Sequence, residues 1–393
     1  VGSVARRRAF IAAFLGWMLD GYDFTILTLV LIDIGRDFKV DHAALGALGT
    51  VTLVMRLAGG MLAGAAADRW GRKRPLIISI AWFSVFAFLS GLAPNYAVLL
   101  ILRALFGLGM GGEWAAGMPL VLEHFPESRR GLVLGVLQGA FSWGFILAAA
   151  AYQYLGPVVS SGSIPAWRVL LWIGIVPAVL VFWIRTGVEE SPAWLAGRAR
   201  SAGVTSAPVS VLFRPSVLQA ALALAAMMFS YQAMSFWYAS LLRDRALEPL
   251  VYLVALNIGG IAGAALWGQV ADTPVGPRRA IAIGSALSLG ALPLFLRAES
   301  PAALVIGALG IGLTGAGIIG VAPAFVGGRF DAASRGTGWG VVYHAAAAAG
   351  AIAPYLIGWL QDAGWPLATA MAACIAGATV VTLALTVLPL RRG

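Results

Sequence analysis

The sequence predicts an all-α membrane protein: twelve transmembrane helices in two six-helix bundles related by a pseudo-two-fold repeat. Three observations carry this expectation. Of 393 residues, 60% are hydrophobic and only 11% charged, where a soluble domain carries about 25% charged residues. Apolar stretches of roughly 20 residues, the length that crosses a bilayer as a helix, recur along the chain with short breaks between them. The two halves also share an ordered set of landmarks, with Asp68 and Asp272 standing 204 residues apart, as duplicated bundles should.

The apolar runs place the first six spans near 9–34, 44–66, 76–92, 97–121, 131–155 and 166–186. The first follows Arg6, Arg7 and Arg8, is too long for a signal-peptide core and holds two aspartates, so it is expected to stay in the mature protein. Spans two and three are divided by the run from Gly64 through Asp68, Arg69, Gly71 and Arg72 to Arg74. The fourth contains the glycine-rich stretch Gly107–Gly112, and Glu123 to Gly131 separates it from the fifth. Residues 187–214 form a polar, Ser/Gly/Pro-rich linker, so the domains are read as 1–186, 187–214 and 215–393.

The second six spans fall near 215–241, 249–271, 279–296, 301–326, 338–361 and 366–389. They repeat the landmarks of the first: Gly268, Asp272, Gly276 and Arg278 match Gly64, Asp68, Gly71 and Arg72. Gly310–Gly315 matches Gly107–Gly112, Pro323 matches Pro119, and Arg335-Gly336 matches Arg130-Gly131.

The net charge of +10 resides in short loops, which excludes a nucleic-acid surface and fixes topology instead. With the N-terminus inside, the cytoplasmic side receives Arg6 to Arg8, Arg69, Arg72, Lys73, Arg74, Arg129, Arg130, Arg278, Arg279, Arg391 and Arg392 among others, and the opposite side only Arg36, Lys39, Arg168, Arg243, Arg245 and Arg297. Both termini are therefore expected in the cytoplasm of a multi-pass protein of the plasma membrane, a bacterial inner membrane. Cys374 is the single cysteine, and of three histidines only His344 lies in a span. That inventory supplies neither a nucleophile–base set nor a metal cluster, so no catalytic residues, no metal and no cofactor are expected.

Six ionisable residues fall inside spans: Asp20, Asp23, Arg56, Arg103, Glu113 and His344. Each costs about 2.5 to 3.5 kcal/mol on insertion scales, so such groups face a cavity or a partner. Asp20 and Asp23 share a helix face. Arg56 stands twelve residues before Asp68, about 18 Å from that helix end at 1.5 Å per residue, where a guanidinium is a ready carboxylate clamp. The competing readings are structural: Asp23 in a static ion pair, Arg56 as a packing residue, Glu113 as a hydrogen-bond partner beside Gly111 and Gly112, His344 as a packing histidine beside Tyr343. Tyr22, Gln138, Tyr231, Gln232, Trp237 and Asn257 complete the candidate cavity residues.

The run Gly64-x-x-x-Asp68-Arg69-x-Gly71-Arg72-Lys73 closely resembles the signature loop of the major facilitator superfamily. Glu123-x-x-Pro126-x-x-x-Arg130-Gly131 and Glu190-Ser-Pro192-Ala-Trp194-Leu195 are similar to sugar-porter segments at the same places. Within the superfamily, Asp20-Gly-Tyr22-Asp23-Phe24, Arg56-Leu-Ala-Gly59-Gly60 and Gly109-Met-Gly-Gly-Glu113-Trp114 resemble the sialate and metabolite proton symporters, and the aspartate pair also looks like the aromatic-acid symporters. The resemblance covers residues 9–195 well and the second half as a general fold.

That resemblance implies a secondary active transporter, a proton symporter of a small organic carboxylate (a monocarboxylate, a sialate-like or an aromatic acid), working by alternating access as a monomer in the lipid bilayer and driven by the proton gradient. Asp23, Asp20 and Glu113 would couple protons, and Arg103 would pair with Asp23. Arg56, Arg103, Tyr22, Gln138, Tyr231, Gln232, Trp237, Asn257, Tyr343 and His344 would meet substrate. Gly64, Asp68, Arg69, Gly71, Arg72, Glu123, Arg130 and Asp272 would form a conformational lock. Span seven, with Tyr231, Gln232, Trp237 and Tyr238, lacks the paired glutamines, glycine and asparagine of sugar porters, so a sugar or polyol porter is the alternative, with a drug exporter behind it.

Overall fold

A computed structural model describes residues 3–125, 127–159, 164–176, 178–191, 194–195, 213–327, 329–330 and 335–388. The chain is all-helical there. The first half contains α1 (Ser3–Phe38), α2 (His42–Trp70), α3 (Lys73–Gly91), α4 (Tyr96–His124), α5 (Glu127–Val159), α6 (Ala166–Trp172) and α7 (Ala178–Gly187). The second contains α8 (Pro215–Ser235), α9 (Tyr238–Asp244), α10 (Pro249–Ala271), α11 (Gly276–Arg297), α12 (Pro301–Ile311), α13 (Ala322–Gly327), α14 (Arg335–Gly350), α15 (Ile352–Asp362) and α16 (Leu367–Val387). Among the described residues, ten helices are long and apolar enough to cross a membrane, and Ala166–Ile175 is a shorter apolar one.

Several helices outrun the apolar stretches that announce them. α1 begins at Ser3 and ends at Phe38, because its charged ends Arg6–Arg8 and Arg36 continue the hydrogen-bond ladder beyond the hydrocarbon layer. Other expected spans are interrupted. The sixth passes through a 3-10 turn, Ile173–Ile175, between α6 and α7. The tenth passes through a π turn, Gly312–Ala316, and a 3-10 turn, Gly317–Val321, before α13. Glycines loosen that stretch, and Pro323 removes the N–H that would bond Ile319. Pro354 stands just after the break between α14 and α15.

The chain forms two compact units, Val1–Val40 with Ala47–Gly203, and Asp41–Gly46 with Val204–Gly393. In the first, α1 lies inside: every residue from Asp20 to Leu31 is buried, with α5 and α4 packed on it. In the second, α8 packs on α14 and α16, and Leu224, Met227, Trp267, Ile281, Ile318 and Phe325 join in its core. Also within the second unit, the Asp362 carboxylate accepts hydrogen bonds from the backbone N–H of His42 at 3.0 Å and of Ala43 at 2.6 Å, and lies 2.8 Å from His42 Nδ1.

The internal repeat is visible in helix crossings. α2 meets α4 so closely that a Cβ on Gly59 would overlap the Leu108 carbonyl, and one on Gly107 the Thr52 carbonyl. In the second unit a Cβ on Gly263 would overlap the Leu313 carbonyl, and one on Gly312 the Leu256 carbonyl. Small residues permit such backbone contact between membrane helices. Gly59→Leu is accordingly expected to force α2 from α4, at a cost of about 1–3 kcal/mol or more for overpacking. Size-exclusion of detergent-extracted protein should show most of the variant aggregated, whereas Gly64→Leu, whose Cβ would meet nothing within 4 Å, should elute as the wild type does.

Candidate functional site

The first unit gathers most of the intramembrane charge at one level. Trp17 lies fourteen residues into α1, Arg56 fourteen from the end of α2 at Trp70, and Phe141 fourteen into α5, each about 21 Å along its helix from the end that carries the α2–α3 loop. α4 contributes Glu113 and Trp114 there, and Arg103 about three turns further from that end.

Asp20 is fully buried, and neither carboxylate oxygen has a hydrogen-bond partner. The Arg56 guanidinium stands 3.9 Å from Asp20 Oδ2, close enough for attraction and too far for a hydrogen bond. Arg56 itself is half-buried, with its guanidinium carbon 4.8 Å from the centre of the Trp17 ring. Glu113 is buried with Oε2 unpartnered, and its Oε1 fills the notch that α1 leaves at Gly16, where a Cβ would collide with it.

Asp23 is 1% exposed, and its Oδ2 is unpartnered. Its Oδ1 lies against the 3-10 turn of the sixth span: a Cβ on Gly174 would come within 2.6 Å of it. Arg103 is fully buried, none of its three guanidinium nitrogens has a hydrogen-bond partner, and the group lies 4.9 Å from the centre of the Phe106 ring one turn further along α4. Arg103 is expected to pair with Asp23; the two are electrostatic neighbours, each the other's main opposite charge, without a hydrogen bond or a close ion pair among the described contacts. Buried ionisable groups without fixed protein partners are costly to keep in a membrane bundle, and such groups mark pathways for ions and charged solutes.

Aromatic side chains surround these charges. Trp114 lies 4.3 Å from Trp17 at 36°, and Phe141 5.1 Å from it at 41°. A small cavity beside them is lined by Ala13, Trp17, Glu113, Trp114, Gly117, Met118 and Leu137. The Trp17 indole N–H and the Tyr22 hydroxyl are buried without partners.

In the second unit the candidates divide. Gln232 keeps an unpartnered buried Oε1, Tyr231 is half-buried, and the rings of Tyr343 and His344 meet edge to face at 5.6 Å. Trp237 is buried with its indole N–H donated to the Pro354 carbonyl at 2.9 Å, and Asn257 donates to the Leu253 carbonyl one turn earlier on its own helix at 2.8 Å. The side chain of Gln138 lies outside the described residues, as do those of Asp68 and Arg130.

At the α2–α3 loop, Gly71 adopts φ +93°, a conformation that costs glycine little, and Gly276 repeats it at φ +74° at the first residue of α11. The Arg72 guanidinium donates to the Ala67 carbonyl at 2.8 Å and stands 3.5 Å from Glu123; the Ser191 hydroxyl donates to Glu123 in turn. Arg69 and Asp272 are exposed. The sequence places Glu190 in the linker, at the head of the sugar-porter-like segment; its carboxylate accepts the backbone N–H groups of Arg72 at 2.9 Å and Lys73 at 3.1 Å. It thus places a negative charge on the positive end of α3. Trp17, Phe141, Gly16 and Gly174 also belong to the site, beyond the residues the sequence singles out. Of these, Trp17 carries a signal, an aromatic residue one turn from Asp20, and Phe141, Gly16 and Gly174 carry none.

A family model described as the Major Facilitator Superfamily matches residues 13–274. Among relatives, a probable 4-methylmuconolactone transporter of Cupriavidus pinatubonensis is 34% identical over 278 residues, covering 69% of this chain and 64% of that protein, so the chain spans under two thirds of its length. The sialic acid transporter NanX of Escherichia coli is 30% identical, with 91% of this chain and 87% of that protein covered. The cis,cis-muconate transport protein of Acinetobacter baylyi is 30% identical, with 93% and 90% covered. Among solved structures, the proton:xylose symporter XylE superposes with a TM-score of 0.78 at 17% identity, covering 98% of this chain and 95% of that one, a likeness of fold.

Proposed function

This chain belongs to the Major Facilitator Superfamily, and from that premise we propose that it carries a small organic carboxylate across the membrane together with a proton. The observation that carries the reading is Arg56: a half-buried guanidinium held 3.9 Å from a fully buried aspartate without a hydrogen bond. Its donors are free to take a substrate carboxylate through two parallel bonds. Protonation of Asp23, or of Asp20, frees an arginine to hold the substrate carboxylate, so proton and anion each favour the other's binding. Glu113 on α4 offers a further proton position. Relatives named for muconate and sialic acid transport support an acidic substrate.

In this reading both termini are cytoplasmic, the membrane is a bacterial inner membrane, the working unit is a monomer, and the driving force is the proton gradient with no cofactor. The test is uptake of labelled benzoate, cis,cis-muconate, sialate and glucose by cells at two external pH values. A carboxylate should accumulate, faster at the lower pH, and a protonophore should abolish accumulation. Uptake indifferent to the gradient would overturn symport, and glucose as the preferred solute would overturn the carboxylate.

A further inference from the structure

We propose that His42 and Asp362 form a latch that clasps the first turn of α2 to the end of α15, and that the clasp is tighter in acid than in alkali. In the reading with both termini in the cytoplasm the latch faces outside, since His42 opens the second span and Asp362 closes the helix before the last. It draws on the transport reading only for the alternation between two conformations.

The seat is built for close contact. A Cβ on Gly46 would overlap the Pro354 carbonyl, and one on Gly358 the His42 carbonyl. Beyond this seat Asp362 takes the place of a helix cap. The first N–H groups of a helix have no partner within it. In α2, Ala44 donates to the neighbouring Asp41 at 2.7 Å, whereas His42 and Ala43 donate to Asp362 on another helix. The His42 ring adds a third contact through Nδ1, and the carboxylate also meets the positive end of the α2 dipole.

Two features make the clasp releasable. Residues Asp41–Gly46, which hold the first turn of α2, group with the second unit, while the same helix from Ala47 onward groups with the first. Movement of either unit as a body must therefore bend α2 or release its first turn. Release costs little, because the His42 side chain is 53% and the Asp362 side chain 25% exposed, so water replaces the lost partners.

An imidazole changes charge between about pH 5 and 8. As a cation His42 gives Asp362 a full opposite charge, and as a neutral ring it gives an N–H alone. From α15 the charged group facing it is Asp362, whose charged form all three contacts favour. The junction of α8 and α9 presents Trp237, which is uncharged, with ring centres 6.4 Å apart. The charged neighbours in its own segment are Lys39 and Asp41, the latter occupied with the Ala44 N–H. The clasp is therefore strongest where His42 is protonated, and it loosens as pH rises and the ring loses its charge.

The test uses the full-length protein in lipid nanodiscs, carrying Cys374→Ala and nitroxide labels on Arg36→Cys and Ala363→Cys, two exposed positions outside the clasp. Spin-label distances are recorded at about pH 5.5 and about pH 8, either side of the imidazole range. Two distances are expected, the shorter for the clasped form, and the ratio of clasped to released should fall by about two- to fivefold at the higher pH, the size of an exposed charge pair. His42→Gln should lose that dependence. Asp362→Asn should lose it too and enlarge the released population at both pH values. A pH response that survives in both variants, or a single unchanging distance in every sample, overturns the latch. No solute enters the measurement, so a failure of the carboxylate reading in the uptake assay leaves the latch standing, and a failure of the latch leaves that reading in place.

Discussion

Replacing Asp23 with asparagine is expected to abolish uphill accumulation while leaving exchange of labelled for unlabelled substrate nearly intact. Asparagine imitates the protonated acid in size and hydrogen bonding, so a carrier locked in that form can bind substrate and reorient loaded. It can no longer return a carboxylate that gives its proton up, and only that step ties transport to the gradient. The geometry is suited to such a carrier: Asp23 is buried on the inner helix α1, with one oxygen unpartnered and the other against Gly174 at the break in the sixth span. The measurement is accumulation and exchange in the same proteoliposomes at two external pH values with and without protonophore. Wild-type accumulation should rise as external pH falls, and the variant's exchange should depend weakly on pH. Asp20→Asn is the control, because Asp20 shares the helix face and stands nearer Arg56. If it uncouples transport and Asp23→Asn does not, the proton carrier is Asp20. Loss of both exchange and accumulation in Asp23→Asn would make the residue structural instead.

Arg56→Lys is expected to raise the half-saturation concentration for a carboxylate substrate by about tenfold or more, equivalent to roughly 1.4 kcal/mol or above. Lysine keeps the positive charge and loses two features. It cannot present two parallel N–H donors to a carboxylate, and its ammonium is a strongly hydrated point charge that desolvates poorly over an indole such as Trp17. Charge alone would predict little change, so the size of the effect separates bidentate recognition from simple attraction. An uncharged amide analogue of the substrate provides the control. If it suffers equally in the lysine variant, Arg56 supports the bundle and does not grip the carboxylate.

The sequence by itself determined the membrane class, the order of the helices and the duplicated plan, because a bilayer imposes its thickness on each span separately and hydropathy is read residue by residue. It also exposed Asp20, Asp23, Arg56, Arg103 and Glu113, since an ionisable group within an apolar run stands out wherever it points. Partnership was another matter. The tertiary structure put Arg56 beside Asp20, left Arg103 lying over Phe106 without a bond to Asp23, and seated Asp23 and Glu113 against glycines of other helices. It turned Glu190 from a linker residue into the acid at the start of α3, and it gave Trp237 the Pro354 carbonyl as partner. Those outcomes depend on how closely helices distant in sequence approach and which faces they turn to each other. Glycine crossings such as Gly59 on Leu108 set that approach to within a methyl group, and hydropathy, which measures only the preference of each side chain for lipid over water, contains no term for it.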